Sequence, residues 1–264
     1  MQTSTSRRRV ARSIAVLGAV AIVAGTGVTS VAADDHAATR SGQTATPAAY
    51  ISYLASSSEE GAAQTLSDFK GLPAAEQEKY LDYLNNPEVF RALMEDAPEP
   101  TQDTTAGPLS APAEDTTTSL FGGDVVVESE HESTFTPDTK PEPGSSAEAA
   151  RKRKLSRGTW ESTYSHTQKI FGVTVTKLSV WVNYYTNGSK ITRVNFAEGG
   201  RRNYNGAVAI TKGVPKHWKD GNYANGSIVW EGNIVFKGFG VSIDKREKVW
   251  ANEYGYRGGY LKNI

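Results

Sequence analysis

Residues 178–196, LSVWVNYYTNGSKITRVNF, decide the fold, because two β-prone runs flank the turn sequence Asn187-Gly188. Apolar and polar residues alternate on both sides of this turn, as in strands with one buried face. A two-residue loop mixes apolar and polar residues on each face. A three-residue loop over 186–188, with Gly188 in the left-handed conformation, keeps one face apolar. We therefore predict a register that pairs Leu178 with Phe196, Val180 with Val194 and Val182 with Thr192.

The same pattern continues through residues 159–264, where short β-branched and aromatic runs alternate with Gly and Asn. It predicts an antiparallel β-sandwich or barrel. We interpret Asn225-Gly226-Ser227 as a turn, and 254–262 as a last strand and turn or, alternatively, a segment that contacts a polyanion. Strands are expected near 160–170, 173–185, 190–197, 206–212, 227–237, 239–244 and 247–252.

Charge divides the chain into two unlike parts. Residues 34–150 carry 22 acidic and 5 basic side chains, whereas residues 151–264 carry 7 acidic and 20 basic side chains. All five Trp lie in the basic part. This asymmetry makes a contact between the acidic region and the basic domain plausible, and it favours an anionic partner for the basic domain.

Several classes of site are excluded by composition. The chain has no Cys, so it has no disulfide, thiolate metal site or Cys nucleophile. Only His166 and His217 lie in the basic part, which excludes a three-His zinc site there. Phosphate-loop, nucleophile-elbow and zinc-protease motifs are absent. We expect neither a metal nor a cofactor.

Residues 1–33 have the features of a signal peptide. Arg7, Arg8, Arg9 and Arg12 precede a short apolar run, and Ala33 ends a small-residue cleavage sequence. Export by the general secretory route is favoured over the twin-arginine route, and a retained membrane anchor is the alternative. We therefore predict a secreted, extracellular protein with no membrane span after the signal is removed.

The acidic part divides into a flexible stretch over 34–45, a small helical segment over 46–97 and a Pro- and acid-rich disordered linker over 98–158. Two interpretations of the helices stay open: a marginal bundle that docks a partner, or a pro-segment that folds against the basic domain. Within the linker, residues 121–128 are a short β-prone island. We expect it either to add a strand to the edge of the later domain or to remain an exposed apolar patch in the linker.

A multibasic sequence, Arg151-Lys152-Arg153-Lys154, ends the linker. It is either a solvated charge run or a processing site in an exposed segment. Cleavage after Lys154 would remove the acidic part and leave a basic domain that starts at Leu155.

The predicted hairpin also gives a candidate binding face. Opposite its apolar face lie Trp181, Asn183 and Tyr185, beside Arg193 and Asn195, with Trp181 expected directly opposite Arg193. Aromatic rings stack on sugars, and Asn and Arg supply directed hydrogen bonds, so this face suits carbohydrate binding. The alternative is that the aromatic rings are buried or form only a surface cation–π pair.

A second candidate is the glycine-arginine segment over 199–206, in which adjacent glycines are expected to form an anion-binding loop beside Arg201 and Arg202. An ordinary strand connection is the alternative. A nuclease interpretation uses this segment with His217 as acid, Glu198 as base and Arg201 on the phosphate. No spacing fixes such a constellation, so we expect a binding protein rather than an enzyme, and we do not expect nucleic acid as its partner.

The chain resembles uncharacterised secreted proteins of high-GC Gram-positive bacteria. The resemblance rests on the Ala-rich signal peptide, the acidic helical region and segments 171–178, 181–186 and 257–261 of the basic domain. It implies an extracellular β domain and carries no catalytic residues over. Our expectation is a non-enzymatic module that binds an extracellular glycan or an anionic cell-wall polymer. The alternative is an antibacterial toxin or small nuclease held inactive by the acidic region.

Overall fold

A computed structural model describes residues 46–93, 115–137, 154–236 and 239–264. The signal peptide with Ala33, the whole 34–45 stretch, and Arg151, Lys152 and Arg153 lie outside the described residues. Within the described part, four helices precede two antiparallel sheets, as the β-sandwich prediction requires. The helices are α1 (Pro47–Ser56), α2 (Ala62–Gly71), α3 (Ala74–Leu84) and α4 (Pro87–Leu93).

Sheet A has the strand order β1-β2-β3-β4-β5, so its strands follow one another as in a meander. A short 3₁₀ turn over Phe121–Gly123 joins β1 to β2. The strands are β1 (Thr116–Leu120), β2 (Val125–Pro137), β3 (Gly158–Ile170), β4 (Val173–Thr186) and β5 (Ile191–Asn203).

Sheet B has the order β10-β9-β8-β6, and β7 pairs with the other half of the same edge of β8. The long β8–β9 hairpin forms its centre. The strands are β6 (Val208–Lys212), β7 (Lys216–Asp220), β8 (Tyr223–Phe236), β9 (Phe239–Asn252) and β10 (Gly255–Asn263).

The two sheets pack face to face around one apolar core. Leu178, Val180 and Val182 of β4 are buried against Ile228 and Trp230 of β8. Glycines allow the close approach, because a Cβ on Gly199 would lie 2.7 Å from Cδ1 of Ile228. Alternation along β4 therefore buries one face, as predicted, and leaves Trp181, Asn183 and Tyr185 on the other.

The helices share a second core with one end of sheet A. Tyr50, Phe69 and Tyr80 pack ring against ring with centroid distances of 4.9 to 5.5 Å. Val125 and Ile170 of sheet A belong to the same apolar cluster. Hydrogen bonds also hold the helices against the β domain. Nε2 of Gln168 donates to the Val89 carbonyl over 2.6 Å, and the hydroxyl of Tyr50 donates to the Tyr204 carbonyl over 3.1 Å.

The predicted hairpin register is wrong, although the turn position and the left-handed Gly188 (φ 89°) are confirmed. Val180 pairs with Gly199 and Val182 with Ala197. The loop has four residues, because Oδ1 of Asn187 accepts the backbone N–H groups of Ser189 and Lys190. Thr192 and Asn195 bulge out of the ladder and shift the register twice. Trp181 consequently lies opposite Glu198, not Arg193.

Three further segments differ from expectation. Residues 116–137, assigned to the linker, form β1 and the 13-residue strand β2, which pairs with β3 along its whole length. The β-prone island at 121–128 therefore joins the sheet, which was one of its two alternatives, but the strands extend well beyond it. Residues 216–220, expected as a loop, form β7. Asn225-Gly226-Ser227, expected as a turn, lies inside β8, because β7 and β9 pair with both its edges. The strand predicted near the C-terminus is confirmed as β10.

Candidate functional site

The outer face of sheet A carries the predicted binding residues. Trp181, Asn183 and Tyr185 are half-buried on β4, between β3 and β5. We call this surface the A face and define it by Glu161, Trp181, Asn183, Tyr185, Arg193 and Asn195. The sequence alone placed Phe196 in the core, but it lies on this side of β5 with 45% of its surface exposed, since the bulge at Asn195 turns it outward.

A chain of hydrogen bonds crosses the A face. Nε of Arg193 donates to Oδ1 of Asn195 over 2.9 Å, and Nδ2 of Asn195 donates to Oδ1 of Asn183 over 2.7 Å. Nδ2 of Asn183 in turn reaches Oε2 of Glu161 at 3.4 Å. These bonds fix the amide planes, so the face presents oriented donors and acceptors before any ligand arrives.

Two aromatic rings flank this polar chain. The Trp181 ring lies over Gly200, where a Cβ would come within 3.3 Å of its Cζ3 atom. The guanidinium of Arg193 lies 4.9 Å from the centroid of the Tyr185 ring, and the Tyr185 hydroxyl accepts from Nε of Arg157 over 3.0 Å. The expected cation–π pair therefore exists, but with Tyr185 rather than Trp181.

Carboxylates surround the aromatic rings on the A face. Glu132 pairs with Thr163, which lies opposite Trp181, and Glu130 and Glu128 follow on the same side of β2. Lys169 neutralises Glu128 across a 2.5 Å ion pair. Glu130, Glu132 and Glu161 remain, but Arg193 lies on the A face and Lys177 on the same side of β4, so the carboxylates do not give this side of sheet A a net negative charge.

Arg201 and Arg202 do not form the predicted anion-binding loop. Gly199 and Gly200 belong to β5 and pair with Val180 and Ser179, so their N–H groups do not converge. Both arginines are instead neutralised by the turn between α1 and α2. Arg201 contacts Glu59 at 2.6 Å, and Arg202 contacts Glu60. These two ion pairs bridge the acidic and basic parts at the edge strand of sheet A.

The residues of the nuclease interpretation are not assembled. Glu198 forms an ion pair with Lys212, and this contact together with the Gly199 N–H lowers its pKa, which makes it a weaker base. His217 lies on β7 opposite Gly226. In the described part of the chain, no hydrogen bond or ion pair joins His217 to Glu198 or Arg201.

His166, Glu247 and Lys245 are buried between the two sheets. Burial lowers the pKa of His166 to about 4, and its Nδ1 lies 2.9 Å from the Ser129 hydroxyl. Burial raises the pKa of Glu247 well above its usual value, while Nε1 of Trp230 donates to its Oε2 over 2.7 Å. Burial disfavours the charged form of both His166 and Glu247, and neither is exposed to a ligand at the surface.

Comparisons place no further constraint on the site: no protein-family model, curated protein or solved structure matches this chain. Among the residues the structure describes, no cluster of three or more His, Asp or Glu is arranged to hold a metal ion. The described helices are all too short or too polar to cross a bilayer.

Proposed function

We propose that this protein is a secreted, non-enzymatic module that binds an extracellular glycan through the A face. The observation that carries the proposal is the fixed Arg193–Asn195–Asn183–Glu161 chain between Trp181 and Tyr185. Ring faces and pre-oriented amides are the groups that recognise a sugar, whose rings have apolar faces and polar hydroxyl rims.

Binding of residues 34–264 to purified Gram-positive cell walls and to a glycan array tests the proposal. Trp181→Ala and Asn183→Ala should each weaken binding by about tenfold or more, as central aromatic and hydrogen-bonding residues do in interfaces. Phe121→Ala is the matched control, since Phe121 is also an exposed aromatic residue (38%) but lies outside the A face. Retention of the Trp181→Ala variant at wild-type affinity would rule out this site.

Secretion is a separate part of the proposal and rests on residues 1–33. The N-terminal sequence and intact mass of the protein recovered from culture supernatant test it. A chain that starts near Asp34 is expected, because the helices share an apolar cluster with sheet A. A stable product that starts near Leu155 would instead support the toxin alternative, in which the acidic region is removed.

A further inference from the structure

A second aromatic site lies on the outer face of sheet B. Trp218 of β7 pairs with Asn225 of β8, and Asn225 pairs with Trp250 of β9, so two indoles flank one amide in a single row. A Cβ on the neighbouring Gly226 would touch Val182 and Ala197 of sheet A. Asn225 therefore points the other way, to the outer side of the sandwich.

The Asn225 amide is buried without a partner. Asn225 is 1% exposed, and among the described residues neither its Nδ2 nor its Oδ1 atom has a hydrogen-bond partner. An amide offers two donors and two acceptor lone pairs, and leaving them buried and unused is unfavourable. Such a group in a native fold requires an explanation, and a ligand that completes its hydrogen bonds provides one.

The surroundings of this amide are cationic. Nζ of Lys248 lies 5.4 Å from the centroid of the Trp218 ring and 5.2 Å from that of the Trp250 ring. In the next row of the sheet, Lys248 and Lys216 flank Ser227. Arg246 pairs with Lys262 one row further. In the other direction along the strands, Asp220 pairs with Tyr223 one row from Asn225, so one carboxylate lies beside these four cations. The next acidic row, formed by Glu231 and Asp244, lies three rows from Asn225, about 20 Å along the strands.

We propose that Trp218, Asn225, Trp250 and Lys248 form a binding site for an acidic sugar, a pyranose that carries a carboxylate. The exposed Trp218 indole contacts the apolar face of the ring, and Lys248 binds the carboxylate. Trp250 and Asn225 are only 3% and 1% exposed, so the Asn225 amide pairs with the sugar hydroxyls when a covering side chain such as Trp218 moves aside. Trp218 forms the solvent-exposed side of the site, because 39% of its surface is accessible and all five residues of its edge strand are exposed. The site goes beyond the proposed function, because it lies on the opposite sheet and does not need the A face.

Isothermal titration of residues 34–264 with polygalacturonic acid tests the site, with dextran and polyphosphate as comparison ligands. Dextran supplies sugar rings without charge, and polyphosphate supplies charge without sugar rings. We expect polygalacturonic acid to bind most tightly and its binding to weaken as salt is raised. The isosteric Asn225→Leu variant should bind about tenfold or more weakly. Its thermal midpoint should be unchanged or higher, because an unsatisfied buried amide is removed.

Controls separate this site from the A face. Trp181→Ala should leave polygalacturonic acid binding unchanged, and Lys248→Gln decides the question if Asn225→Leu does not fold. Equal affinity for polyphosphate, wild-type binding by both variants, or no binding of polygalacturonic acid by the wild type would each overturn the proposal. A lower thermal midpoint in Asn225→Leu with unchanged binding in Lys248→Gln would overturn it too, since the amide would then be a structural group satisfied by water.

Discussion

At the residue scale, the fold removes His166 from water and keeps it neutral. His166 is 4% exposed, and burial lowers its pKa from 6.5 to about 4. As pH falls through this interval, the unfolded chain gains a proton at His166 and the folded chain does not. The folded state therefore loses stability between about pH 6.5 and about pH 4.

This shift predicts a pH-dependent effect of His166→Gln. From about pH 7 to about pH 4.5, the wild type should lose about 2 kcal/mol more free energy of unfolding than the variant. Gln retains a polar group that can contact the Ser129 hydroxyl, so the fold should survive. Urea unfolding at the two pH values measures the difference. Equal losses of unfolding free energy in the wild type and the variant would show that the pKa of His166 in the folded protein is close to its ordinary value.

At the residue scale too, pattern analysis identified the right face and missed its details. Alternation of apolar and polar residues correctly separated Val180 and Val182 from Trp181 and Asn183. The partner of Trp181 was wrong, because the four-residue loop and the bulges at Thr192 and Asn195 together shift the register. Bulges are set by three-dimensional contacts and have no signature in the alternation. The buried Asn225 was equally hidden, since Asn-Gly-Ser is typical of turns.

At the element scale, the turn between α1 and α2 contacts both sides of the edge strand β5. Glu59 and Glu60 pair with Arg201 and Arg202, which point to opposite faces of that strand. The ion pairs thus cover part of the unpaired edge of sheet A. They also join the acidic part of the chain to the basic part. Sequence analysis could not place them, since each pair spans 142 residues.

A charge exchange tests the first of these pairs. Glu59→Arg should destabilise the protein by about 1 kcal/mol, because it faces Arg201 in a half-buried contact. Combining it with Arg201→Glu should recover part of the loss, although the Arg201 contact with the Ile210 carbonyl is not replaced. Glu78→Arg is the control for the change in net charge. Additive effects of the two substitutions in urea unfolding would contradict a direct interaction.

The strand β2 shows why composition misled the domain assignment. Its inner face starts with Val125 and Val127 but continues with Ser129 and His131, so its apolar alternation is soon lost. His131 nevertheless stacks on Tyr256 of β10 with a centroid distance of 4.2 Å, and Ser129 bonds to His166. Polar residues that are satisfied by distant partners cannot be told from linker residues in a single sequence.

At the scale of the whole molecule, the acidic and basic parts share their cores. Strand β2 contributes all 13 of its residues to the ladder with β3, and the helices pack on one end of the same sheet. Just after the multibasic sequence, the Leu155 side chain is buried, and its backbone N–H donates to the Glu253 carbonyl over 2.7 Å. Cleavage after Lys154 would therefore break the chain without separating the two parts.

A variant that carries a specific-protease sequence in place of residues 151–154 tests this expectation. After cleavage, the two fragments should co-elute on a native sizing column and separate only in denaturant, because the β2–β3 ladder and the shared apolar core remain. The uncleaved variant is the control. Separation under native conditions would show that the acidic part is releasable and would favour the toxin alternative.

The central claim, that Trp181 contacts a glycan, is tested most directly by the indole N–H signals of the five Trp residues. Titration of ¹⁵N-labelled residues 34–264 with solubilised cell-wall glycan should shift the Trp181 signal saturably. The Trp230 indole, bonded to Glu247 in the core, should stay in place. A titration in which cell-wall glycan binds but the Trp181 signal does not move, or in which no indole signal moves, would contradict the account.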